Sequence, residues 1–229
     1  MIYFGLVGGG GYGREVLPWA LPSIRRSFPD TPPEDIRAVF VESEPTSPTI
    51  NGRDVFSAED FAAIDCDRKF FNVAVGNGDV RKTLADMMYD LGIPAIGISH
   101  DVSEERFGNH FDDGHLLAYM ITITSNCTIG KFFQGGGSSY VGHACTIGDY
   151  VTFSPRVTLE GYADIGDFAQ MGAYAVVAKG TPDRPIRIGT GATIGMGAVI
   201  TEDVPDGATV VGHPARILQP RPAPAEASS

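Results

Sequence analysis

The sequence predicts an α/β domain followed by a parallel β-helix. Two observations carry the β-helix. From Ile123 to Val177 every sixth residue is apolar or glycine: Ile123, Ile129, Gly135, Val141, Ile147, Phe153, Leu159, Ile165, Met171 and Val177. Two positions before most of these stands a small or β-branched residue: Cys127, Ser139, Cys145, Val151, Val157, Ala163, Ala169 and Ala175. A helix repeats at 3.6 residues and a half-buried strand at 2, so a sustained period of six fits neither. It fits a hexapeptide β-helix, each hexad forming one flat face of a prism. The apolar residue points inward, the small one lines the corner, and the residue after the apolar one turns the chain. Glycine takes that turning place at Gly130, Gly142, Gly148, Gly166 and Gly172. Stacked coils then pair at a strand spacing of about 4.8 Å. The third observation is an alternation of strand-like and helix-like segments before the hexads, which implies a parallel α/β layer.

The elements follow in order. Ile2–Val7 is a strand running into Gly8-Gly9-Gly10-Gly11-Tyr12-Gly13, and a helix follows from Arg14. Residues 37–42, 71–75 and 95–98 are further strands. Residues 79–91 have helical spacing (Val80, Leu84, Met87, Met88, Leu91), with Asp79 as N-cap. The α/β domain spans 1–105 and is half of a dinucleotide-binding fold. The polar segments 104–106 and 112–114 mark the connection. The β-helix spans 106–217, its early coils irregular but with Phe111 and Leu117 in register. Residues 218–229, rich in Pro, Ala and Ser, read as a disordered tail.

The totals narrow the function. A net charge of −11 argues against non-specific nucleic-acid binding, which needs a basic face. No apolar run is long enough for a membrane helix, and the first residues read as a strand rather than a signal peptide. Three cysteines without metal spacing predict a reduced, cytoplasmic protein. Cys127 and Cys145 occupy corner positions and read as packing residues; Cys66 reads as a free surface thiol.

Gly8-x-Gly10-x-x-Gly13 follows a strand and opens a helix. Glycines there let the backbone approach a phosphate, and the helix N-terminus offers free N–H groups. Two mononucleotide-binding halves would be needed for a dinucleotide, and only one fits before the hexads. A nucleotide-sugar is therefore the natural ligand, with Glu42 at the end of the second strand placed to accept from a ribose or base. A purely structural turn is the alternative.

Among five histidines, only His143 lies inside the regular hexads. Two residues after Val141, it points away from the prism interior. A neutral imidazole there can take a proton from an attacking amine or hydroxyl. A zinc site is not expected, because no second histidine lies at i, i+2 or i, i+5. Between Val177 and Ile188 the period fails by one residue. Residues 179–187 must leave the prism as a loop, and its cations Lys179, Arg184 and Arg187 would suit a polyanionic ligand such as coenzyme A phosphates.

These features together resemble the sialic acid O-acetyltransferase and bacillosamine N-acetyltransferase family of bacterial glycan biosynthesis. The resemblance rests on the glycine loop, the hexads, Tyr140-Val141-Gly142-His143-Ala144-Cys145-Thr146-Ile147-Gly148-Asp149, and the ending Gly207-Ala208-Thr209-Val210-Val211-Gly212-His213-Pro214-Ala215-Arg216. It covers about residues 2–217. It implies a left-handed helix, a homotrimer, acetyl-CoA as donor without a metal, and an active site between neighbouring helices. His143 falls on the general base. Gly10, Gly11, Tyr12, Glu42, Ser43 and Gly76 fall where members hold the nucleotide part of the substrate. Thr152, Gly161, Ala173 and the loop cation Lys179 fall to the donor, with a backbone N–H near Gly161 as oxyanion donor.

The chain departs from the family at three places. Ala144 stands where members commonly carry an acidic residue that orients the base. Asp149, a carboxylate of a partner subunit or a backbone carbonyl could serve instead. Tyr12 and Thr152 each stand where a histidine is frequent. The leading expectation is an acetyl-CoA-dependent N-acetyltransferase of a nucleotide-linked amino sugar. An O-acetyltransferase of a free sugar or glycan, and a catalytically degenerate trimeric scaffold, remain alternatives.

Overall fold

The computed structural model describes residues 1–100 and 108–218. Residues 104–106 of the expected connection and nearly all of the tail lie outside the described residues.

The N-terminal domain contains strands β1 (Ile2–Val7), β2 (Ile36–Val41), β3 (Thr49–Ile50), β4 (Arg53–Phe56) and β5 (Arg68–Val73). Its helices are α1 (Gly11–Ser27), α2 (Ala58–Ala63) and α3 (Gly78–Asp90). The sheet order is β3-β4-β2-β1-β5, parallel except for the β3–β4 pair. β1 and β2 are almost wholly buried, as expected of parallel strands covered on both faces. Val16, Leu17, Ala20 and Ile24 of α1 pack on Phe4, Leu6, Ala38 and Phe40. Phe61 of α2 and Ala85 and Met88 of α3 cover Val7, Val39, Val41 and Val73 on the other face.

Several boundaries differ from the sequence reading. α1 starts at Gly11 rather than Arg14. α3 is capped by Asn77, whose side chain accepts from the Val80 N–H at 3.0 Å, rather than by Asp79. The strand expected at 95–98 is split: Ala95 bridges to Phe71, but Ile98–Ser99 pairs with Leu116–Leu117 in the β-helix. Asp112 and Gly114 belong to the first coil rather than to a connection, since the Asp112 N–H donates to Ile129 O.

The remainder is a left-handed parallel β-helix with three faces. Thr128 pairs with Thr146 and Tyr140 with Thr158, a repeat of 18 residues, or three hexads per coil. Every apolar residue of the predicted series from Ile123 to Val177 is buried in the prism, with Cys127, Cys145, Val151, Val157, Ala163, Ala169 and Ala175 beside them. The turning residue is not the one directly after the inward residue. It is the third after it: Asn126, Phe132, Ser138, Ala144, Tyr150, Arg156, Tyr162, Phe168 and Tyr174 all have φ between 48° and 64°. The break after Val177 is also larger than the sequence suggests. Ile165 pairs with Ile188, 23 positions on, so the segment is an insertion of five residues into one hexad.

The prism has three edges. The first carries Phe132, Tyr150 and Phe168 stacked in a column, with centroids 5.5 and 5.3 Å apart. Phe71 of β5 stacks on Phe132 at 5.8 Å, which seats the N-terminal domain on this edge. The second edge carries Ser138, Arg156 and Tyr174, and the third Asn126, Ala144 and Tyr162.

Candidate functional site

The glycine loop lies at the C-terminal ends of three adjacent parallel strands, where ligands of open α/β sheets bind. Gly13 must be glycine: a Cβ there would stand 1.8 Å from Gly8 O. This contact tightens the turn from β1 into α1. Gly10 and Gly11 are exposed and face open space, and α1 has no side-chain cap. The first N–H groups of the helix are thus available to an anion. Glu42 lies just past β2 with its carboxylate against Gly9, where a Cβ would be 2.5 Å from Oε1. Ser43 follows, exposed.

Gly76 follows β5 on the other side of the loop. Its carbonyl accepts from Thr152 Oγ1 at 2.8 Å and from Arg81 Nη1 at 3.1 Å. Tyr12, Glu15, Gly76, Gln134, Thr152 and Ser154 line one cavity of about 270 Å³ between the glycine loop and a face of the β-helix. Burial pushes the Tyr12 phenol well above its ordinary pKa, partly offset by the Arg81 charge. Tyr12 therefore stays a neutral phenol.

Thr152 lines this cavity rather than the edge that carries His143 and Gly161. The family resemblance assigns it to the donor; its hydroxyl donates to Gly76 O and accepts from the buried Arg81 Nη2 behind the cavity wall. Ala173 is also apart from its expected companions. It lies at the second edge, beside Tyr174, with its carbonyl accepting from Gly197 N–H.

Gly161 and the loop do lie with His143, at the third edge. His143 is partly buried, its ring edge-on to Tyr162 at 4.8 Å and 89°. Its carbonyl accepts from the Tyr162 N–H at 3.1 Å. Gly161 has φ +123°, and a Cβ there would lie 3.4 Å from His143 Nε2 and 3.2 Å from His143 O. Its N–H makes no backbone hydrogen bond among the described residues. The inserted loop stands on this column: Gly180 N–H donates to Gly161 O, and Ile186 N–H to Tyr162 O, both at 3.1 Å. Thr181 and Arg184 exchange backbone hydrogen bonds to close the loop tip. Lys179, Arg184 and Arg187 are exposed, near the column that carries His143.

Ala144 offers His143 no acceptor, and the Asp149 carboxylate is engaged elsewhere, accepting from the Lys131 N–H at 2.8 Å. Among the described residues, no group of three His, Cys, Asp or Glu could hold a metal ion, and no helix is long and apolar enough to cross a membrane.

Sequence reasoning missed Arg81, Gln134 and Asn72, which join the two domains. Arg81, fully buried, donates to six oxygens, among them Phe132 O, Val75 O and Tyr150 O. Burial lowers its pKa to about 10. Asn72 Nδ2 donates to Ile96 O at 2.7 Å and to Gly114 O at 3.2 Å. The one signal in the sequence was the spacing of Gly78, Arg81, Ala85 and Met88, a helical stripe that is small or polar except at its last member.

No family model matches the chain. A curated relative, the GDP-perosamine N-acetyltransferase of Escherichia coli O157:H7, is 38% identical over 222 residues, covering 97% of this chain and 99% of the relative. The solved structure of WeeI from Acinetobacter baumannii AYE superposes with a TM-score of 0.86 at 38% identity, covering 95% of this chain and all of that one. The acetyltransferase domain of PglB from Neisseria gonorrhoeae FA1090, solved with acetyl coenzyme A, shares the fold at TM-score 0.80 and 24% identity, covering 94% of this chain and 98% of its own.

Proposed function

We propose that this chain, which belongs to the hexapeptide-repeat sugar acyltransferases, N-acetylates a nucleotide-linked amino sugar with acetyl-CoA as donor. One observation carries the reading: the cavity of Tyr12, Gly76 and Thr152 joins the glycine loop, with its uncapped helix N-terminus, to a face of the β-helix. A free-glycan O-acetyltransferase would have no use for that loop. The relative from E. coli makes a GDP-linked amino sugar the first substrate to test.

In this reading the diphosphate sits on the N–H groups at Gly10 and Gly11, with Glu42 and Ser43 toward the nucleoside. The sugar enters the cavity beyond Tyr12. The uncharged sugar amine attacks the thioester carbon of acetyl-CoA. His143 takes the proton that the nitrogen sheds as the C–N bond forms. The Gly161 N–H steadies the tetrahedral oxyanion. The C–S bond then breaks, and the coenzyme A thiolate leaves with the proton held by His143. Lys179 and its loop neighbours meet the coenzyme phosphates.

His143 and the cavity of Tyr12 lie on different sides of one prism: the cavity on the face between the first and second edges, His143 at the third. A homotrimer would set the third edge of one chain against the cavity of the next. In that arrangement Ala173, at the second edge, reaches the donor bound by a neighbour. The absence of an orienting carboxylate at Ala144 leaves that role to a partner carboxylate or a backbone carbonyl.

The test is a coupled assay of thiol release with acetyl-CoA and GDP-, UDP- or dTDP-linked amino sugars, the product weighed by mass spectrometry. Turnover of one such sugar is expected, from a particle of trimer mass in sedimentation. Acetyl-CoA binding without affinity for any nucleotide would support the free-glycan alternative. Binding of neither ligand would support the scaffold.

A further inference from the structure

Gln134 is 2% exposed and stands where the sequence expects an outward-facing residue of the prism. The N-terminal domain covers it. Its Nε2 donates to Val73 O, in β5, at 2.9 Å. That bond settles which way the amide points, because a flipped amide would set two oxygens together. Oε1 is then left buried without a partner among the described residues. Such acceptors are rare in folded proteins, since burial strips their water and nothing replaces it. This one belongs to a residue that lines the cavity beside Tyr12.

The chemistry of the cavity says what should fill it. Among the described residues its only charged lining residue is Glu15, and no Lys or Arg lines it. An acceptor-rich, cation-free space repels a phosphate and suits a group rich in O–H or N–H donors. At about 270 Å³ it falls just below the roughly 300–1,000 Å³ of pockets for drug-sized ligands. That is room for one sugar ring. Phosphate sites, by contrast, are offered next door by the N-terminus of α1.

We infer that Gln134 reads the sugar: its Oε1 accepts a hydrogen bond from one ring hydroxyl of the substrate seated in this cavity. The inference rests on the nucleotide-sugar reading above and adds a selectivity residue to it. Gln134 is a binding residue with no part in proton transfer. A sugar lacking that hydroxyl would leave the acceptor unpaired, the circumstance in which polar sites discriminate strongly.

The experiment is calorimetric titration of the full chain with GDP, GDP-perosamine and analogues lacking one ring hydroxyl at a time. For the wild type, one analogue should bind about 10- to 100-fold more weakly than the parent sugar. In Gln134→Met, the parent and that analogue should bind alike, while GDP affinity shifts far less than sugar affinity. Equal binding of all analogues by the wild type, which needs no variant to fold, would overturn the assignment alone. Equal loss of GDP and GDP-perosamine in Gln134→Met would also overturn it, placing the residue on the nucleotide. No binding of any of these ligands by the wild type would overturn the functional reading along with it.

Discussion

Arg81 Nη2 donates to the carbonyl of Tyr150 at 2.6 Å, from α3 of one domain to the first edge of the other. The same guanidinium holds Thr152 Oγ1 at 3.0 Å and Gly76 O at 3.1 Å, so the docking of the domains and the shape of the cavity beside Tyr12 share one residue. All six acceptors are neutral oxygens. The desolvation of the cation is offset only by hydrogen bonds, and a planar fork of donors is required to reach them.

Arg81→Met should therefore strand several acceptors in a dry junction and cost about 3–5 kcal/mol. For a chain of this size, that is a fall in Tm of roughly 6–20 °C. Arg81→Lys should recover little, because an ammonium cannot reach both domains at once. Thermal unfolding by calorimetry reads the effect; a variant within about 2 °C of the wild type would show that the junction does not depend on this residue.

Thr152 is the residue on which the resemblance and the proposed site differ. The resemblance assigns it to acetyl-CoA, whereas its hydroxyl donates to Gly76 O beside the cavity of Tyr12. Thr152→Val keeps the shape and removes the hydroxyl. The expected outcome is a rise of about 5- to 10-fold in KM for the nucleotide sugar, with KM for acetyl-CoA nearly unchanged. The reverse pattern in initial-rate kinetics would return Thr152 to the donor.

His143 and Ala144 occupy adjacent places at a turn with unlike demands. His143 is the proposed base; Ala144 takes φ 54°, where a residue with a Cβ is strained. Asn and Asp tolerate this conformation better than Ala. His143→Asn should lower kcat by about 10²- to 10⁴-fold with little change in Tm, since the ring is only partly buried. Ala144→Asp should hold or raise stability by up to about 1 kcal/mol, and should raise kcat if no other carboxylate orients His143. A preserved rate in His143→Asn would remove it from the mechanism.

What the sequence made legible follows from period. The hexads gave the inward residues and so the outward place of His143, because a β-helix fixes orientation by count alone. Counting fails where a second domain lies on the prism. Gln134 reads as a solvent-facing residue and is 2% exposed, because β5 covers it. The apolar pattern on α3 picked Val80, which is 48% exposed, while the buried stripe is Gly78, Arg81, Ala85 and Met88. The stripe is small because Gly78 packs onto Tyr150, where a Cβ would come within 2.8 Å of its carbonyl oxygen. The insertion reads as a break of one residue because two hexads short by one residue and one hexad enlarged by five look alike in sequence. Strand pairing decides between them, since Ile165 lies beside Ile188.

The inserted loop yields the remaining prediction. Its root is fixed on Gly161 and Tyr162, so its cations are held near His143 rather than free to sweep the solvent. In a chain of net charge −11, a polyanionic donor needs such a local reversal of sign to approach. Lys179→Ala with Arg184→Ala should raise KM for acetyl-CoA by roughly tenfold at low salt. Both side chains are exposed, so Tm should not move. The defect should shrink as salt rises toward about 0.5 M, where exposed charges are largely screened, and it should be absent with a donor lacking the coenzyme phosphates. KM for the nucleotide sugar serves as the internal control. An equal rise in both KM values would mean that the loop positions the edge rather than meeting the coenzyme.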